Sequence, residues 1–132
     1  MLIASSTLNE YCPAMKKIAI LLRQSPFTGN QLQETIDIGL AYAAFDQSVS
    51  LIFTEQAVLA CCESTEPARA GFADFLKQFG AFELYEIAET VVCADALALQ
   101  GLAEHQLRAG VESRSAAEIA ALLPTFDIVI SI

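Results

Sequence analysis

A chain of 132 residues with a formal net charge of −9, from 16 acidic and 7 basic side chains, fits one domain and presents no electrostatic footprint for a phosphate backbone or an anionic membrane surface. Hydrophobic residues make up 55% and mean hydropathy is +0.47, above the ~45–50% usual in soluble domains, yet no apolar run approaches the ~18–20 residues of a membrane-crossing helix. A core of this size cannot absorb the surplus, so part of the surface is expected to be apolar and covered by partner subunits.

The opening "MLIASSTLNEYCPA" has no charged stretch leading into a continuous apolar run and so does not read as a secretory signal, which points to a cytoplasmic protein. Residues 1–14 are expected to lie outside the fold, as a disordered extension or an upstream start ahead of Met15, with one α/β domain over 15–132. "KIAILL" at 17–22 is apolar almost throughout, as a strand covered on both faces should be. The loop "RQSPFTGN" follows, with Asn30 and Gln33 in capping-box positions for a helix from about Gln31 to Phe45. On that helix Leu32, Ile36, Gly39, Leu40 and Ala43 form one face, while Ile38, Tyr42 and Phe45 form a second that suits an oligomer contact or a neighbouring helix.

"VSLIF" at 49–53 predicts the second strand, and "EQAVLACC" a short helix. Pro67 suits the first position of a further helix in which Ala68, Phe72, Phe75, Leu76 and Phe79 share a side, with Gly80 as its stop. "AETVVC" predicts a third strand, "ADALALQ" a short helix ending at Gly101, and "GVES" a short fourth strand. Ser115 and Glu118 form a capping box for the last helix, which Pro124 ends before the terminal strand "FDIVISI". This alternation predicts a compact flavodoxin-like domain: a mainly parallel sheet of about five strands with helices on both faces.

Chemically the sequence is sparse. "SPFTGN" offers one glycine, Gly29, and no phosphate-binding lysine or serine pattern, so the βαβ opening does not carry a nucleotide fingerprint, and no cofactor is expected. Flavin or nucleotide binding rests on fold analogy alone. Arg23 could hold a small anion at the end of the first strand, although a solvated surface arginine is the commoner case. The one histidine, His105, has no Ser or Cys partner in view and is given no role; without a Cys-x-x-Cys there is no zinc set.

Four cysteines are present, Cys12, Cys61, Cys62 and Cys93, expected reduced in a cytosolic protein. Cys12 lies in the opening segment, and Cys61 and Cys62 end an apolar stretch, where burial as small hydrophobes competes with a strained vicinal disulfide. Cys93 is the candidate nucleophile. It ends the strand "ETVVC", at the carboxyl edge where ligands bind in open α/β sheets, before a helix whose N-terminus favours a thiolate. Asp95 opposes that effect and no cation lies within several residues, so a packed, inert thiol is the alternative.

Over essentially all of 15–132 the sequence resembles the DsrF/TusC family, the C-type subunits of the DsrEFH and TusBCD sulfur-relay complexes. The resemblance is carried by Pro26 and Gly29 in the first loop, by Glu34, Asp37 and Leu40 in the first helix, by "AAFDQ" at 43–47, and by Asp127-Ile128-Val129 in the last strand. After the second strand the sequence departs from the family's Asp-Gly, with Glu55 and Gln56 in those places.

What this implies is a DsrEFH-like fold and an accessory subunit of a cytoplasmic heterohexamer with B-type and D-type subunits, lacking direct contact with nucleic acid or membrane. Such a complex passes persulfide sulfur through a downstream carrier protein toward 2-thiouridine at tRNA wobble positions, or serves sulfur oxidation. The family's main carrier cysteine belongs to the D-type subunit, at the strand end corresponding to Cys93. The rival reading is a sulfurtransferase subunit that uses Cys93 directly.

Overall fold

Strand β1, Lys17–Leu22, lies inside a five-stranded sheet because its run of apolar side chains can be buried on both faces. The computed structural model describes residues 15–27, 29–62 and 75–131. β1 pairs in parallel with β2, Ser48–Phe53, on one side and β5, Ile128–Ser131, on the other. Beyond β2 come β3, Glu89–Cys93, and β4, Glu112–Arg114, giving the order β4-β3-β2-β1-β5 with every pairing parallel. The expected α/β architecture is what forms. Three crossovers step in one direction, and the last returns across the sheet to place β5 on the far side of β1.

Helix α1, Gln31–Ala44, covers one face of the sheet. A Cβ added at Gly39 would sit 3.0 Å from Leu51 Cδ2 and 3.5 Å from Ile20 Cδ1, so the missing side chain lets the helix backbone approach the strands closely. Leu32, Ile36 and Gly39 are buried as their spacing predicts, whereas Ile38, Tyr42 and Phe45 stay exposed. Helix α2, Phe75–Leu84, lies on the same face. Its Phe79 stacks on Phe53 at 5.5 Å, and Gln78 Nε2 donates to Asp37 Oδ1 of α1 at 3.1 Å.

Helix α4, Ala116–Leu122, covers the opposite face, where Ile119 packs toward Leu21, which alternates away from Ile20. Its start carries the predicted capping box: Glu118 N–H donates to Ser115 Oγ at 3.1 Å and Ser115 N–H to Glu118 Oε1 at 2.9 Å. Pro124 falls in the 3-10 turn Leu123–Thr125 that follows α4.

Local expectations fail in three places. Gly80 does not stop its helix but lies inside α2, which runs on to Leu84 because Phe79 and Phe82 on either side anchor it to the core and offset glycine's poor propensity. The predicted start of that helix, with Pro67, Ala68 and Phe72, lies outside the described residues. Asn30 precedes α1 but its side chain makes no cap hydrogen bond, since its ψ of 7° departs from the extended backbone that aims a cap at the free amides. Finally, "EQAVLAC" winds as a 3-10 helix over Glu55–Cys61, with Ala57, Val58, Ala60 and Cys61 buried. Glu55 takes a left-handed φ of 53°, so the turn after β2 forms without glycine at Gln56.

Two outcomes test this packing. Gly39→Val forces a branched side chain between α1 and the Leu51 and Ile20 tips, and urea unfolding should show a loss of about 1–3 kcal/mol, the usual range for overpacking. The Glu118 carboxyl is held below the usual glutamate range, first by the backbone and then by the hydroxyl of Ser115. A depressed value means its charge contributes stability above roughly pH 4.3, the ordinary glutamate value, and loses it as pH falls through the folded value. Glu118→Gln should therefore be less stable than the natural chain at neutral pH, and the gap should close in thermal melts below that range.

Candidate functional site

The carboxyl ends of the strands form the edge where an open α/β sheet places its ligands. At the end of β1, Arg23 lies 4.0 Å from Glu55 at the end of β2, with both side chains well exposed. The arginine that could have met a small anion thus faces a carboxylate, in a pair of little energetic weight. The loop between β1 and α1 closes on itself: Phe27 N–H donates to Ser25 Oγ at 3.1 Å, Pro26 is buried, and Gly29 has a φ of 119° that suits glycine alone.

Cys93 ends β3 and occupies the N-cap position of the short helix α3, Ala94–Leu99, with Asp95 in its first turn. The thiol is 5% exposed and borders an apolar groove of about 220 Å³. Leu21 and Thr54 from the neighbouring strand ends form one wall, and Ala116, Ile119 and Leu123 form the other. Only the return crossover that carries α4 over the sheet brings these side chains to Cys93.

Parallel register sets Arg114 of β4 opposite Cys93, a neighbour no local pattern announced. Its guanidinium, however, donates to Glu112 Oε1 at 3.0 Å, and that hydrogen bond, more than any other cause, raises its pKa above the ordinary arginine value. Among the described residues no hydrogen bond or ion pair engages the Cys93 sulfur. The site therefore combines a nearly buried thiol, an apolar wall and a carboxylate at the helix start, without a paired cation.

Cys61 and Cys62 are free and fully buried. Burial pushes both thiols up, Cys61 well above the ordinary range with Cys62 adding to it, while the charge of Arg108 pulls both the other way. Arg108 is the residue that sequence reading passed over. Its Nε donates to Ala60 O at 2.8 Å, its N–H to Cys61 O at 2.7 Å, and its guanidinium lies 5.4 Å from the Phe79 ring centroid, tying the segment before β4 to the 3-10 helix and α2. Cys12 lies outside the described residues. His105 falls in the 3-10 turn Glu104–Gln106, and no group of three or more metal-ligating side chains occurs among the described residues. Nor, among them, is any helix long and apolar enough to cross a membrane.

Fold and site together define a small parallel α/β domain with a thiol at the carboxyl edge of its third strand. The DsrE/DsrF-like family model matches residues 16–132, and the chain belongs to that family. A curated relative, a TusC homolog of Pseudomonas aeruginosa, is 30% identical over 117 residues, covering 89% of this chain and 98% of the relative. A second TusC homolog, from Aliivibrio fischeri, is 27% identical over 105 residues, covering 80% and 89% of the two chains. Among solved structures the ychN protein of E. coli superposes with a TM-score of 0.77 at 18% identity, covering 89% of this chain and all 100% of that one. A protein of unknown function from Methanobacterium thermoautotrophicum superposes with a TM-score of 0.67 at 10% identity, covering 90% and 100%. Both likenesses concern the fold.

Burial sets an order of thiol reactivity. Iodoacetamide followed by peptide mapping should modify Cys93 before Cys61 or Cys62, which should react only once the chain is unfolded; equal rates in the folded protein would contradict the packing.

Proposed function

We propose that the chain is an accessory subunit of a cytoplasmic sulfur-relay hetero-oligomer, a scaffold that assembles with B-type and D-type relatives into a heterohexamer. The complex passes persulfide sulfur to a downstream carrier protein and on toward 2-thiouridine at tRNA wobble positions. The observation that carries this reading is the match to TusC homologs over nearly the whole length of both chains. The site supports the accessory role, since Cys93 is nearly buried, Asp95 follows it, and the guanidinium opposite is bonded to Glu112. The net charge of −9 supports an indirect route to tRNA through a carrier rather than contact by this chain.

The position of Cys93 favours a second reading, in which it carries sulfur itself. Its thiolate would attack the outer sulfur of a donor persulfide; the donor S–S bond breaks, a new S–S bond forms at Cys93, and the donor departs as a thiolate with no net redox change. The same subunit in a sulfur-oxidation pathway would differ only in its downstream acceptor.

Co-expression with B-type and D-type relatives should give a soluble complex larger than the single chain. In that complex Cys93→Ser should leave assembly and 2-thiouridine content largely intact, with a packing penalty of about 1 kcal/mol at most. Intact-mass analysis after exposure to a persulfide donor decides between the readings: sulfur added at Cys93, together with lost flux in an assembled Cys93→Ser complex, establishes the carrier role instead. A chain that stays a monodisperse monomer beside both relatives rejects the subunit reading.

A further inference from the structure

The end of the molecule opposite Cys93, where α1 and α2 finish and β2 and β3 begin, carries an apolar surface that nothing in the chemistry above uses. Phe45 is 77% exposed and Leu84 80%, with Tyr42 and Tyr85 beside them also exposed. The two helix ends are neighbours: Asp46 after α1 and Tyr85 and Glu86 after α2 line one cleft of about 190 Å³. Large aromatic and aliphatic side chains left this open at adjacent helix ends form the kind of patch monomers rarely keep uncovered.

The charges around it say what covers it. Asp46, Glu83 and Glu86 are all exposed, and among the described residues none of them has an ion-pair partner. Two of these carboxylates also break local rules. Both helices end in the same paired hydrogen bonds, Asp46 N–H to Ala43 O with Gln47 N–H to Tyr42 O, and Glu86 N–H to Glu83 O with Ile87 N–H to Phe82 O. The residue after such an end is left-handed, here Asp46 at φ 63° and Glu86 at φ 58°, where glycine is the easy choice and a negative charge opposes the helix dipole. Helix α3 ends in the same bonds and does use glycine, Gly101 at φ 73°. At the two helix ends that flank the apolar patch, acidic residues thus stand where α3 uses glycine.

We propose that this surface docks a different protein chain that presents an apolar contact ringed by lysine or arginine. A second copy of this chain fits poorly, because a two-fold contact there would set Asp46 and Glu86 against their own duplicates in a molecule of net charge −9. Resting on the subunit reading above, the occupant is a sister relay subunit.

The test uses the full chain with co-expressed B-type and D-type subunits as the probe. Asp46→Asn with Glu86→Asn removes both charges while keeping a side chain that tolerates the left-handed backbone, and Asp46→Gly with Glu86→Gly removes charge and backbone strain together. Both double variants should fold, the glycine pair with an unchanged or raised melting temperature, yet bind the sister subunits about ten-fold or more weakly at low salt, as expected on losing interfacial charges. Binding by the natural chain should weaken from 50 to 500 mM NaCl, and that salt dependence should flatten in the variants. Phe45→Ser with Leu84→Ser, changing only exposed side chains, should weaken binding at every salt concentration. If the natural chain assembles and all three variants do so equally with the same salt dependence, this surface is not the interface and the subunit reading stands. If the natural chain captures neither subunit, both proposals fall.

Discussion

The structure depends on parallel pairing along both sides of β1. A parallel sheet cannot be closed by hairpins, so every neighbour of β1 is reached through a crossover, and each crossover must lay apolar surface on the sheet. Ile18, Ile20 and Leu22 face one layer and Ala19 and Leu21 the other, and burial of both sets fixes the register with β2 and β5. Asp127 reinforces it at the start of β5, where Lys17 N–H donates to Asp127 Oδ2 at 2.8 Å and Asp127 N–H to Lys17 O at 2.8 Å. Everything at the carboxyl edge, including the groove beside Cys93, follows from this pairing.

Several positions that carry the family resemblance hold the fold rather than a reaction. Gly29 supplies a backbone angle, Asp37 accepts from Gln78 between α1 and α2, Gln47 Oε1 accepts from Lys16 N–H at 2.9 Å, and Asp127 clamps β5. A chain whose characteristic side chains are spent on architecture suits a subunit whose value lies in shape. The same economy shows at the carboxyl edge, where both arginines face glutamates, leaving the thiol in apolar company.

Burial and charge also divide the molecule into two ends of different character. At the carboxyl edge the helix starts and strand ends are packed together, and Arg23 pairs with Glu55 and Arg114 with Glu112 near the exposed Asp95. At the amino edge, large apolar side chains and unpaired carboxylates share the surface, and the backbone accepts left-handed acidic residues beside them. Glu55 at the carboxyl edge is a left-handed acidic residue too, but it pairs with Arg23, whereas Asp46 and Glu86 stand beside exposed apolar side chains.

The elements themselves were legible because their signals are local. The apolar runs at 17–22 and 49–53, the helical spacing of Leu32, Ile36 and Gly39, and the Ser115–Glu118 box act over a few residues, and each appears where the sequence places it. The excess of apolar residues likewise anticipated the open face of Ile38, Tyr42 and Phe45. Gly80 misled for the opposite reason: glycine's helix-breaking preference is weak, and packing of Phe79 and Phe82 on the core overrides it. Strand order, the wall that α4 builds beside Cys93, the register that sets Arg114 opposite it, and the clamp of Arg108 on Ala60 and Cys61 belong to the tertiary structure alone. The sequence determined which segments are strands and helices and which thiol ends a strand; only the folded chain decided what surrounds that thiol, because those neighbours arrive through crossovers whose direction is set by packing across the whole sheet.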